Sequence, residues 1–405
     1  MTLPMETYAR ALVLACLLVT MHPTSAVQGQ TPPGPPRSGK ASSPLAFDAL
    51  RRQADEARAA GRVDEAVELY KRAVALQPSW TEGYWYLGTI SYDRDRHAEC
   101  RDAFTRVVRR QPENGAAWAF RGLCEFHLKQ YRAALDHLNR ARQAGVGDDP
   151  AFDAIVAYHR AILFARLGQF ERAFDVDVNL VRGGNTMPSM LDAVGIAMLR
   201  LPLLPDEVPP EQRDLVRLTG TAGAYGITRM AEEARKAYEE LLTRYPDTPG
   251  VHFLYGNFLF AQERPDAALE QFRMEIARSP NHVPARLQLA LELVKRGDLD
   301  AAKPYATEAV RLAPGNFVAR RVLGQIKLQA GDAAGAIGDL EAARSLEPSS
   351  PSVRFHLARA YQRAGRTVDA KRERAEFTRL EAIQQKQRGA ASGAPGEEPV
   401  EPLPH

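Results

Sequence analysis

The chain has 405 residues, of which 45% are hydrophobic and 25% charged, with a net charge of +3. These are the proportions of an ordinary globular protein, and the charge is too small to argue for nucleic acid as a partner. Three cysteines do not make a disulfide framework.

An apolar run of ten residues, 11–20 (ALVLACLLVT), follows Arg10 and precedes Thr24-Ser25-Ala26, a small-residue cleavage pattern. Ten helical residues rise about 15 Å, half the hydrocarbon core, so residues 1–26 read as a signal peptide and not as a stable membrane span. Export to the periplasm or the extracellular space is the expectation. The apolar run continues past Cys16, which argues against lipid anchoring there. Residues 27–46 lack the apolar content to fold and read as a Pro-rich linker.

From Phe47 a unit of two helical patterns begins to repeat, and four such units fill residues 47–187. The first carries Gly61, Ala66, Tyr70, Ala73 and Pro78; its polar first helix suits the end of a stack. The second has Tyr84, Leu87-Gly88, Phe104 and Pro112. The third has Trp118, Gly122, Ala134, Leu138 and Ala141, without a closing proline. In the fourth, Gly168, Ala173 and Leu180 are in frame while Asp175 and Asp177 depart from it.

Residues 188–214 break the period. Residues 189–201 read as a short helix apolar around much of its circumference, which predicts burial. Pro202, Pro205, Pro209 and Pro210 then argue against regular structure. The repeat resumes over residues 215–386, where Pro246, Pro280, Pro314 and Pro348 recur every 34 residues. A proline after a helix ends it, because it lacks the amide hydrogen and its ring clashes with the preceding turn. Leu323-Gly324, Gly331-Asp332, Ala336 and Ala343 repeat the spacing of the unit before. The last unit keeps Leu357-Ala358, Tyr361, Gly365 and Ala370, and its charged second helix reads as a C-terminal cap. Residues 387–405, rich in Gly, Pro and Glu, read as a disordered tail.

Helix, turn and helix at a fixed interval of 34, with a Leu-Gly pair, an aromatic, set alanines and a closing proline, resembles the tetratricopeptide repeat. The resemblance implies an all-α, right-handed α-solenoid of about nine helix-turn-helix units with one helical insertion. It also implies a non-enzymatic scaffold that holds a peptide segment of a partner protein in a concave groove lined by the first helices. By position, the N-terminal groove residues would be Trp85, Tyr92, Phe126 and Tyr158. The later ones would be Phe253, Asn257, Phe260, Leu287 and Leu291, then Arg321, Gln325, Arg359 and Arg363, so the wall turns from apolar to basic. Family members that clamp chaperone carboxylates use a Lys, Asn, Asn, Lys and Arg set that no three consecutive units here supply. The competing reading makes the aromatics solenoid core, or contacts of the inserted helix, since aromatics at helical spacing are usually packing residues.

No phosphate-binding glycine loop, zinc-protease helix or nucleophile elbow is present in the sequence. The insertion has no His or Cys and only Asp192, Asp206, Glu207 and Glu211 as acids, too few partners for acid-base chemistry. A hydrolase built around the insertion and an RNA-binding helical repeat stand as the alternatives; near-neutral charge and export count against the second. No cofactor, catalytic residue or metal is expected. His97 and Cys100, and Cys124 and His127, are each three apart on neighbouring helices, which raises zinc or a disulfide. Cysteines in helical repeats more often pack as small hydrophobes, so two unbridged thiols are the expectation.

Overall fold

The computed structural model describes residues 44–392, with side chains through Lys386. The expected signal segment, almost all of the linker, and the tail from residue 393 lie outside the described residues. Among the described residues there are nineteen α-helices, two short 3-10 turns and no strand. The chain divides into two compact bodies, 1–241 and 242–405.

The first body contains four helix pairs: α1 (Pro44–Ala59) with α2 (Val63–Leu76), α3 (Thr81–Asp93) with α4 (His97–Arg110), α5 (Gly115–His127) with α6 (Tyr131–Ala144), and α7 (Pro150–Arg166) with α8 (Phe170–Arg182). After them come α9 (Pro188–Met198), α10 (Arg213–Ile227) and α11 (Ala231–Arg244), the last crossing the division between bodies. The second body contains four more pairs: α12 (Val251–Ala261) with α13 (Pro265–Arg278), α14 (Val283–Lys295) with α15 (Leu299–Leu312), α16 (Phe317–Gln329) with α17 (Ala333–Leu346), and α18 (Pro351–Arg363) with α19 (Thr367–Ser392).

Four pairs are clasped by a glycine on the first helix and a large residue sixteen positions on. A Cβ at Gly88 would lie 2.6 Å from the Phe104 ring, and one at Gly256 2.5 Å from Phe272. Gly122 against Leu138 and Gly324 against Leu340 repeat the arrangement. Phe104 and Phe272 are completely buried there, and each contributes about 1.5–3 kcal/mol through apolar area removed from water. In the fourth pair the clasp position holds Asp177, whose carboxylate is buried with no hydrogen-bond partner.

The turns are equally regular. A left-handed residue closes the first helix, glycine at Gly297 and Gly331 but Asp95, Lys129 and Glu263 elsewhere. The next amide reaches back over the turn, as Asp332 N does to Lys327 O at 2.9 Å. Asp298 and Asp332 then cap the second helix by accepting from Ala301 N and Gly335 N.

A second link joins residues nineteen apart within a pair. Trp118 stacks on His137 at 5.1 Å. His252 bonds Gln271 at 2.7 Å. Arg320 pairs with Asp339 at 3.0 Å and Arg354 with Glu373 at 2.7 Å.

Four boundaries or bonds differ from the sequence reading. Helix α1 begins at Pro44, inside the expected linker, because proline fits the first turn of a helix, where its missing amide costs nothing. Helix α19 runs to Ser392, six residues into the expected tail; two alanines at 390–391 favour helix, and the next proline is Pro395. Regular structure does enter the proline segment, as 3-10 turns at Pro205–Glu207 and Pro210–Gln212 that each begin on proline. Cys100 and Cys124 are joined in a disulfide between α4 and α5, not left as free thiols. Packing the two helices side by side brings their Cα atoms to 6.2 Å, within disulfide range.

Helix α9 is buried at Met190 and across 193–197, and it packs chiefly on α10. The contact is so close that a Cβ on Gly195 would meet Val216 O at 2.0 Å. Residues 199–212, here called the strap, cross from α9 to α10 with Leu204 and Val208 buried.

Candidate partner-binding faces

In the first body the sequence-selected aromatics are stitched from helix to helix. Trp85 meets Phe104 and Phe120 edge-on at 5.3 and 5.8 Å. Tyr92, 6% exposed, packs edge-on against Phe120 and His127. Phe126 points its edge at His159 at 5.0 Å, and with Tyr158, 8% exposed, it joins an apolar cluster containing Ile162, Met190, Val194 and Leu204. The inserted helix and the strap thus pack with two of the four rings.

His97 and His127 stack at 4.2 Å beside the disulfide. Among the described residues no group of three or more His, Cys, Asp or Glu is arranged to hold a metal.

The second body differs. Phe253 is half-buried between His282 at 4.8 Å and Phe272 at 5.7 Å, and Phe260 stacks on Phe272 at 6.3 Å. Asn257 and Leu291 are half-buried and Leu287 is buried. On α16, Arg321 donates to Gln325 at 3.3 Å. On α18, Arg359 lies over the Phe355 ring at 5.6 Å, and Arg363 donates to Leu328 O. Phe355 itself is 42% exposed.

Electrostatics ties α16 to α18. The His356 imidazole is pushed down to about 4, first by burial and then by the Arg321 and Arg359 guanidinium groups. Burial also lowers Arg321 from its ordinary value. Among the described residues none of Arg321, Arg359 and Arg363 is ion-paired to a carboxylate. This contrasts with Arg320 and Arg354 on the same two helices, both of which are.

The structure therefore brings Arg321 and Arg359 together around His356. The position rule drawn from the resemblance left out His356 and Phe355, which lie one turn before the first selected position on α18. Helical spacing alone gave the signal, since 355, 356 and 359 share one side of a helix.

The sequence profile of the tetratricopeptide repeat family matches residues 40–81, 51–99, 87–150, 230–283, 287–351 and 323–371. The human protein O-mannosyl-transferase TMTC3 is 22% identical over 267 residues, 62% of this chain and 28% of its own length. The cellulose synthase operon protein C of Xanthomonas axonopodis pv. citri is 32% identical over 151 residues, 34% of this chain and 10% of its own. The chain thus spans well under a third of either relative. Among solved structures, MamA aligns at 17% identity and a TM-score of 0.38, covering 42% of this chain and 94% of its own. Yeast Tom70 aligns at 13% and 0.37, covering 84% and 86%. Among the described residues no helix is long and apolar enough to cross a membrane.

Proposed function

Because the chain belongs to the tetratricopeptide repeat family, whose stacked repeats present extended binding surfaces, we propose that it is a non-enzymatic scaffold holding an acidic, partly apolar segment of another protein. The face is the first-helix wall of the second body. One observation carries this reading: the half-buried Arg321 and the exposed Arg359 stand around His356 beside the exposed Phe355, with the exposed Arg363 one turn farther along α18, and none of the three has a carboxylate partner among the described residues. A half-buried guanidinium without an anion has lost hydration and gained little in return, so an incoming carboxylate has the most to offer there. Phe253, Asn257 and Phe260 extend the wall with half-buried side chains suited to an apolar portion.

The apolar run at 11–20 supports placing this scaffold in the cell envelope. The transferase activity named for the human relative belongs to a protein of which this chain spans 28%. For a partner captured from envelope extract and then purified, Arg359→Glu together with Arg363→Glu is expected to slow association at least tenfold at low salt and to flatten its salt dependence. Unchanged association with an unchanged salt slope would remove the basic wall as the site. Phe253→Ala is expected to weaken the same complex by roughly 2 kcal/mol if the ring is an anchor.

A further inference from the structure

We infer that the strap, residues 199–212, is an internal ligand of the first body. It covers the face of α7 that an array of this kind offers to partners, and once displaced it leaves a site for an extended, proline-rich, apolar segment carrying an acidic residue. Tyr158, Ile162 and Arg166 follow at steps of four along α7 and so share one side of it. Each has a counterpart in the strap: Leu204 shares the apolar cluster of Tyr158 and Ile162, and Glu207 pairs with Arg166 at 3.0 Å. Arg166 also stands 5.5 Å over the Tyr131 ring, so the pairing lies at an aromatic rim.

The manner of attachment is that of a docked peptide. Pro202, Pro205, Pro209 and Pro210 remove four amides from the strap. The backbone bonds of Glu207 N to Leu204 O and of Gln212 N to Pro209 O stay inside it, and Leu201 N only closes the end of α9 on Ile196 O. Glu207 further ties its own carboxylate to Leu204 N at 2.9 Å, which presets the turn that presents Leu204. What holds the strap down is therefore Leu204 and Val208, the half-buried Leu199, Leu201 and Leu203, a bond from Arg213 Nε to Val208 O, and two ion pairs, Glu207 with Arg166 and Arg200 with Glu171, whose side chains remain about a third or more exposed. Such a segment leaves more easily than a helix, because no hydrogen-bond ladder has to break. The strap's own composition (LPLLPDEVPPE) states the chemistry that the face accepts.

A fluorescent peptide of residues 199–212 tests this on the full chain. The wild type is expected to bind it at least tenfold more weakly than Leu204→Ser, whose strap has lost its buried anchor. Adding Arg166→Glu to Leu204→Ser is expected to cancel the gain. A folded Leu204→Ser chain, with helical circular dichroism intact, that binds no tighter than the wild type overturns the inference, as does a gain that survives Arg166→Glu. Should Leu204→Ser lose its helical signal, Glu207→Gln decides, since it changes a partly exposed group and frees Arg166 for the peptide. A gain of threefold or more is expected, and none overturns the inference. Arg359→Glu acts in the second body, so failure of the acidic-segment reading and failure of this one are read from different variants.

Discussion

A single methyl group at Gly220 would place a carbon 1.7 Å from the carbonyl oxygen of Leu191. Backbone cannot yield as a flexible side chain can, so Gly220→Ala must pry α9 off α10 and is expected to cost on the order of 3 kcal/mol in urea unfolding. Gly338, exposed on α17 with nothing within 4 Å of its missing Cβ, gives the opposite sign. Gly338→Ala is expected to stabilise by about 1 kcal/mol. Two buried ionisable groups likewise pull in opposite directions with pH. His159 donates through Nδ1 to Ile155 O, and burial pushes its imidazole down to about 4. Between pH 6.5 and 4 the unfolded chain takes up a proton that the folded chain refuses, so stability falls as pH falls, by about 3 kcal/mol over the full window. His159→Gln is expected to flatten that part of a stability-pH curve. Burial raises Asp177 well above 3.8, so the folded chain keeps its proton and the unfolded chain loses it, and stability is lost as pH rises from 3.8. Asp177→Leu restores the clasp residue of Leu138 and Leu340, and it is expected to raise the melting temperature at pH 7 and have little of this benefit at pH 3.

At the scale of the helix pair, the sixteen-residue clasp was readable from sequence in the four pairs where glycine and a large apolar residue recur together. The nineteen-residue link was not, because its chemistry changes every time: Trp118 with His137, His252 with Gln271, Arg320 with Asp339 and Arg354 with Glu373. Glu373 is almost fully buried and gathers Arg344 as well as Arg354, each at 2.7 Å. Glu373→Ala leaves two half-buried guanidinium groups unpaired and is expected to cost about 3–5 kcal/mol. Arg354→Met with Glu373→Leu is expected to recover part of it, measured in the same denaturant series. The wall residues were also only half legible. Position in the repeat selects Tyr92, Tyr158, Arg321 and Arg359 alike, yet only the packing separates the two buried tyrosines from the half-buried Arg321 and the exposed Arg359. The strap could not be placed from sequence, since four prolines rule out long regular elements without saying what Leu204 covers. The cysteines bury well either bonded or free, so their bond was not decidable either.

At the scale of the whole chain, the residues that the sequence placed on one continuous wall fall in two bodies. Rings of the first body are committed to packing: Trp85 lies edge-on to Phe104 and Phe120. Trp85→Ala is expected to destabilise by about 2–3 kcal/mol in thermal or urea melts while leaving affinity for a captured partner unchanged. Loss of affinity without loss of stability would return that ring to the binding surface.

The disulfide sets where such an array can come undone. Repeats that touch only their neighbours open from an end, one helix pair after another, as a zipper does. Cys100 and Cys124 fasten the second helix of one pair to the first helix of the next, across 24 positions, a loop whose closure limits the open chain by about 3.5 kcal/mol. Fraying that starts at α1 therefore meets a stop between α4 and α5. Amide exchange is expected to show a step in protection there, and a reductant is expected to move that step deeper into the array.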